Sequence, residues 1–142
     1  MQNIFEMKFL AISQNQAFAR VCAAAFAAQL NPTLAELNEV KTAVSEAVTN
    51  AMIHGYGAGC DDEKWIYLRC QILDNEIWVE IEDKGMGIND IAAAREPLYT
   101  TKPDEERSGM GFTVMEEFMD EVVVHSALGE GTVVKMSKKI TQ

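Results

Sequence analysis

Apolar residues recur along this chain with two different periods, and the change from one to the other marks its organisation. Residues 4–12 mix apolar and polar positions, with Phe5, Phe9 and Ile12 among the apolar ones, and read as a strand. Ser13-Gln-Asn-Gln16 then has the form of a capping box, in which a serine hydroxyl and a glutamine side chain satisfy free N–H groups at a helix start. A helix is expected over residues 14–30. Thr33-Leu-Ala-Glu36 repeats the signal directly after Asn31-Pro32, so a second helix follows toward His54, with Gly55 and Gly57 as its stop. Val40, Ala43, Val44, Ala47, Val48 and Ala51 form the buried stripe of that helix.

From Trp65 the period is two. Ile66, Leu68, Cys70 and Ile72 alternate with Tyr67, Arg69 and Gln71, and Ile77, Val79 and Ile81 alternate with Trp78, Glu80 and Glu82. Asp74-Asn75 between the two runs suits a two-residue hairpin turn, because both residues tolerate positive φ. Residues 89–108 carry patchy apolar content, two prolines and the charged run Lys102-Pro-Asp-Glu-Glu-Arg107, which predicts a mobile loop. A short helix over 111–119 and strands over 121–127 and 132–137, joined by Leu128-Gly-Glu-Gly131, complete the pattern. The expected fold is α+β: a two-layer sandwich of a mixed, mostly antiparallel sheet with helices on one face.

Composition narrows the possibilities. The 142 residues, 48% of them apolar, suffice for one domain with one core, expected to span 1–142. A formal charge of −10 and a pI near 4.6 would repel a phosphate backbone, so no direct nucleic-acid binding is expected. Any action on gene expression should pass through another protein. Cys22, Cys60 and Cys70 are odd in number and lack C-x-x-C spacing, which suits neither a disulfide framework nor a zinc site and points to a reducing cytoplasm. The most apolar stretch, residues 17–30, contains Arg20 and falls short of the roughly 20 residues that span a bilayer. Neither a membrane span nor a signal peptide is expected.

Three separated segments carry candidate chemistry. In Glu46-Ala-Val-Thr-Asn50, a carboxylate and a carboxamide four residues apart on a helix stack as neighbours, with His54 a further turn along. Beside a phosphate site, Asn50 suits Mg²⁺, which prefers oxygen and takes only one or two protein ligands, and Glu46 suits a general base. A simply solvated helix face is the competing reading. Asp83-Lys84-Gly85-Met86-Gly87 ends a strand; its glycines let the backbone approach a flat ligand, and its aspartate offers an acceptor for an exocyclic amine such as that of adenine. An ordinary turn after a strand has the same form. Gly109-Met110-Gly111-Phe112, with Ser108 before it, opens a helix whose free N–H groups and dipole favour an anion. No G-x-x-x-x-G-K-[ST] or G-x-G-x-x-G occurs, which disfavours a P-loop or a dinucleotide fold.

Taken in order, Glu46-xxx-Asn50, Asp83-x-Gly85-x-Gly87, Gly109-x-Gly111-Phe112 and the late Gly131-Thr132 resemble the N box, two glycine boxes and final Gly-Thr of the GHKL ATPase superfamily, which includes gyrase, Hsp90, histidine kinases and MutL. The chain is short for the added parts of those relatives. Its pattern resembles the stand-alone serine kinase branch, the bacterial anti-sigma factors, and within that branch Ser45-Glu-Ala-Val-Thr-Asn-Ala-Met-Ile-His-Gly-Tyr56 and the length look most like the anti-sigma F factors of spore formers. The resemblance implies a Bergerat-type fold binding ATP and Mg²⁺ and a protein serine/threonine kinase activity. The family holds a sporulation sigma factor as a homodimer and phosphorylates an anti-anti-sigma protein.

Residue by residue, the resemblance makes Glu46 the general base, Asn50 the Mg²⁺ ligand and Asp83 the partner of the adenine amino group. Gly85 and Gly87 would line the base, Gly109 and Gly111 would meet the phosphates, and Thr132 would support adenine. Residues 89–108 would be the ATP lid. Lys84, Lys102, Arg95 and Arg107 are candidates to neutralise phosphate, and Thr100, Thr101 and Ser108 to add hydroxyl contacts; ordinary solvated loop side chains remain the alternative for all of these. Arg20, an arginine in an alanine-rich helix, is a candidate contact for an acidic partner patch, against a solvated or snorkelling arginine. Two other functions stay open: a binding module that uses ATP only to set its conformation, and an isolated histidine kinase-like ATPase domain.

Overall fold

The alternating residues of the second half, joined by one strand from the start of the chain, build a sheet, and the helices cover one of its faces. The computed structural model describes residues 2–56, 64–85, 87 and 111–141, with 54–56 described by backbone alone. In chain order these form β1 (Gln2–Leu10), α1 (Gln14–Ala27), α2 (Leu34–Asn50), β2 (Trp65–Leu73), β3 (Glu76–Asp83), α3 (Gly111–Phe118), β4 (Glu121–Ala127) and β5 (Gly131–Lys139). The strands make one five-stranded sheet in the order β1-β2-β3-β5-β4. Each pairing is antiparallel, so the sheet is simpler, over the described residues, than the mixed one expected.

Period two places Ile66, Leu68, Cys70 and Ile72 of β2 and Ile77, Val79 and Ile81 of β3 beneath the helices, all buried. Val40, Ala43, Val44, Ala47 and Val48 of α2 meet them from above. Each buried valine, leucine or isoleucine among them contributes about 1.5–3 kcal/mol on full burial, which outweighs the lower helix propensity of the valines in α2. Cys22 and Cys70 are free thiols, and burial pushes Cys70 up to about 12, leaving it unreactive at neutral pH. No helix among the described residues is long and apolar enough to cross a membrane.

Of the two expected capping boxes, one forms. Thr33 accepts from the Glu36 N–H at 3.1 Å, and Glu36 Oε1 accepts from the Thr33 N–H at 2.8 Å. Ser13 is itself helical and makes no side-chain cap bond. Gln16, its expected box partner, instead donates to Thr49 Oγ1 of α2 at 3.3 Å, a tertiary bond that local spacing could not reveal. β1 also begins and ends two residues before the expected strand, because its register runs Gln2↔Leu73 to Leu10↔Trp65 along the whole of β2. In the hairpin, only Asp74 takes positive φ, at 57°.

Beyond its cap, Glu36 binds the far end of the described chain: its Oε2 accepts from both the N–H and the hydroxyl of Thr141 at 2.8 Å. The N–H groups of Thr141 and Thr33 hold its carboxyl down to about 2 from an ordinary 4.5. A depressed carboxyl stabilises the fold above its unfolded value and loses that contribution as pH falls from 4.5 toward 2. Glu36→Gln, which cannot accept all three bonds, is expected to lower stability by about 1–3 kcal/mol at pH 7. Urea unfolding of both proteins should show the gap closing through the same acid range; a gap independent of pH would contradict this role.

Candidate nucleotide site

The site begins where β3, β5 and β4 end side by side. Asp83 pairs with Thr132, and Thr132 with Ser126, so three polar side chains form a row across three strands on the face that carries the helices. Asp83 and Thr132 are buried, 4% and 8% exposed, and Ser126 is half-buried. The Gly85 N–H donates to Asp83 Oδ1 at 2.9 Å, closing a tight turn after the strand. Loss of water still dominates over this bond, one from the Thr132 N–H and the nearby Lys84 charge, and raises Asp83 from 3.8 to about 6.

Two glycines bring this turn and the loop after β4 into backbone contact. Gly87 (φ +79°) has no room for a side chain against the Ala127 carbonyl, and Gly131 (φ +90°) none against the Asp83 carbonyl. The late glycine expected only as a neighbour of Thr132 therefore also sets how closely β5 approaches the aspartate.

The second half of the site is built from helices. Asn50 is the last residue of α2, and Gly111 the first of α3; a side chain at Gly111 would begin 3.0 Å from Asn50 Nδ2 and 3.2 Å from Oδ1. Two segments expected to share a ligand thus touch, although 61 residues separate them in the sequence (111 − 50 = 61). Glu46 lies one turn back along α2 and, like Asn50, is half-buried rather than fully solvated. Phe112 is buried beside them and anchors α3 to the core.

After Asn50 the backbone widens into a π-helical turn, Ala51–Tyr56. This turn packs against β3 and β5, and so joins the Asn50–Gly111 contact to the Asp83–Thr132–Ser126 row. The helical backbone accordingly runs past Gly55 to Tyr56, and Gly57, the other expected stop, lies outside the described residues. The side chain of His54 lies outside the described residues.

Other expected residues fall differently. The Lys84 ammonium lies 2.7 Å from Glu82 Oε2 and 60% exposed, on the face of β3 opposite Asp83. Arg20 is half-buried rather than exposed, and its Nε makes no hydrogen bond among the described residues. Arg95, Thr100, Thr101, Lys102, Arg107, Ser108, Gly109 and Met110 lie outside the described residues, as does the expected lid. Ser126 escaped the sequence reading; its signal was a lone hydroxyl ending the inward stripe Val122, Val124, Ser126.

Residues 11–138 match the family of histidine kinase-like ATPase domains. The anti-sigma F factor of Clostridium perfringens (strain SM101 / Type A) is 54% identical over 140 residues, covering 99% of each chain. That of Bacillus subtilis (strain 168) is 49% identical over 142 residues, covering 100% of this chain and 96% of the relative. This chain belongs to the anti-sigma F factor family. Among solved structures, the RsbU and RsbW domains of Rv1364c from Mycobacterium tuberculosis share the fold with a TM-score of 0.64 at 16% identity, over 97% of this chain and 32% of that one. The catalytic domain of histidine kinase ThkA does so with a TM-score of 0.58 at 14% identity, over 96% of this chain and 97% of that one. The α+β architecture is therefore that of the histidine kinase-like ATPase domains, an ATP-binding fold.

Proposed function

We propose that this chain is an ATP- and Mg²⁺-dependent protein serine kinase that also binds and inhibits a sporulation sigma factor of the sigma F type. The phosphate goes to a serine of its anti-anti-sigma antagonist. One observation carries the nucleotide part: the Asn50 carboxamide lies against Gly111 at the start of α3, while a π-helical turn ties it to a buried carboxylate, Asp83, paired with Thr132. A flat base with an amino group suits the carboxylate end, and phosphates suit the α3 N-terminus. Gly85 and Gly87 line the base, and Gly109, Met110, Gly111 and Phe112 the phosphate end.

The donor set also suits the metal. Among the described residues no group of three or more His, Cys, Asp or Glu gathers to hold an ion. Asn50 instead offers one amide oxygen beside the proposed phosphate position, the sparse protein contribution that Mg²⁺ accepts when it shares ligands with a nucleotide. Mg²⁺ bound there would neutralise phosphate charge. Glu46, one turn away, takes the proton from the attacking serine hydroxyl.

The remaining assignments belong to the same proposal. Residues 89–108 form the lid, from which Thr100, Thr101, Lys102 and Ser108 reach phosphate, with His54 and Lys84 contributing at the rim. The protein acts as one domain and as a homodimer in the cytoplasm, and Arg20 contacts a protein partner. Transfer of the labelled γ-phosphate from ATP to a purified antagonist tests the kinase; absence of transfer would leave an ATP-gated binding module. Acid-stable phosphate on the acceptor distinguishes serine from histidine. Asn50→Ala is expected to weaken ATP binding about tenfold with Mg²⁺ present and little in EDTA, measured by calorimetry. An unchanged dependence on Mg²⁺ would sink the metal role.

A further inference from the structure

Ser126 touches no expected ligand group, yet it fixes the polarity of one that does. Its single hydroxyl proton is donated to the Gly131 carbonyl at 2.9 Å, and a carbonyl can only accept. The 2.8 Å contact between Ser126 Oγ and Thr132 Oγ1 must therefore have Thr132 as donor. With its own proton engaged, the Thr132 hydroxyl presents only lone pairs to the space beside Asp83. The Asp83 carboxylate, directly across the ladder, accepts from the Gly85 and Thr132 backbone N–H groups and, among the described residues, from no threonine hydroxyl.

From this we infer that Ser126 is a positioning residue for base selection: it holds Thr132 as an acceptor, so that the end of the pocket is an acceptor pair matched to a 6-amino purine and mismatched to a 6-oxo purine. The inference rests on the ATP reading above and deepens it. Among the described residues, Ser126 is the hydrogen-bond partner of the Thr132 hydroxyl, so without the serine hydroxyl the Thr132 proton loses it. A free hydroxyl beside a buried carboxylate turns to donate to it, since such a bond is charge-assisted. The threonine would then occupy a carboxylate lone pair that the amino group of the base needs.

Binding of Mg-ATP and Mg-ITP, which carries a carbonyl oxygen where ATP has its amino group, tests this by calorimetry. The native protein should favour ATP, and Ser126→Ala should shrink the ATP-to-ITP preference roughly three- to tenfold, the worth of one hydrogen bond. Ser126→Thr, which keeps the hydroxyl, should restore the preference and guards against a folding artefact. The effect should vanish in a Thr132→Val background, where no hydroxyl remains to be oriented; a merely structural serine would act equally in both backgrounds. The pH midpoint of ATP binding should also move down in Ser126→Ala, because the freed hydroxyl stabilises the ionised carboxylate. An unchanged ATP-to-ITP preference in a folded Ser126→Ala that still binds ATP overturns this inference alone. A native protein that binds neither nucleotide overturns the ATP reading and this inference with it.

Discussion

Glu46→Gln is expected to cut phosphoryl transfer by about 10²- to 10⁴-fold, the usual contribution of a positioned general base. Glutamine keeps the size of the side chain and its place on α2, but cannot take the proton of an attacking hydroxyl. Affinity for Mg-ATP should stay within about threefold of the native value, because the lost interaction acts mainly in the transition state. Single-turnover transfer to the antagonist, with ATP binding measured in parallel, separates the two quantities. Full transfer by the variant would remove Glu46 from the reaction. A parallel loss of ATP binding would make it a ligand contact instead.

Asp83→Asn has the second large effect, and it works in two directions. On the ATP reading an ionised Asp83 accepts from the amino group of the base, so replacing it should weaken ATP binding about 10- to 100-fold, the range for a hydrogen bond to a charged group. In the native protein the same acceptor is lost by protonation: ATP affinity should fall as pH drops below about 6, and the variant should show no such fall. Stability without nucleotide follows the opposite sign. The folded protein holds the Asp83 proton more tightly than the unfolded chain, so the contribution of this group is greatest below 3.8 and is lost as pH rises through about 6. The loss amounts to about 3 kcal/mol for a carboxyl this deeply buried. Chemical unfolding between pH 4 and 7 should show that slope in the native protein and not in the variant. ATP affinity that ignores pH in this range would contradict the aspartate role. Glu36, which gains stability with rising pH, works at the other end of the molecule and over a more acid range.

Local pattern exposed much of the architecture. The boundaries of β4 agree with the expected strand, and β2, β3 and the starts of α1, α2 and α3 fall at or within a residue of expectation. All of these rest on unbroken period-two or helical spacing, or on a glycine at an edge. The failures occur where a distant partner took over a local group. Gln16 left its box for Thr49, and β1 took its bounds from its pairing along the whole of β2. The π-helical turn after Asn50 was also illegible, since Ala51-Met-Ile-His-Gly-Tyr56 continues an α-helical pattern and only its packing on β3 and β5 shows where the wider turn fits.

By itself, then, the sequence determined which segments are helix and strand, that the helices cover one face of the sheet, and which short motifs belong to one family. These are properties of periodicity and residue type, which neighbours along the chain define. Tertiary structure decided which groups meet. The Glu36 carboxylate holds a threonine 105 residues away, Gly111 leaves just enough room for Asn50, and Ser126 sits within hydrogen-bond distance of both the Thr132 hydroxyl and the Gly131 carbonyl. Hydrogen bonds and excluded volume act over a few ångströms, whatever the separation along the chain. The family motif therefore names Asp83 and Thr132, whereas their protonation and polarity depend on which side chains the folded sheet sets beside them.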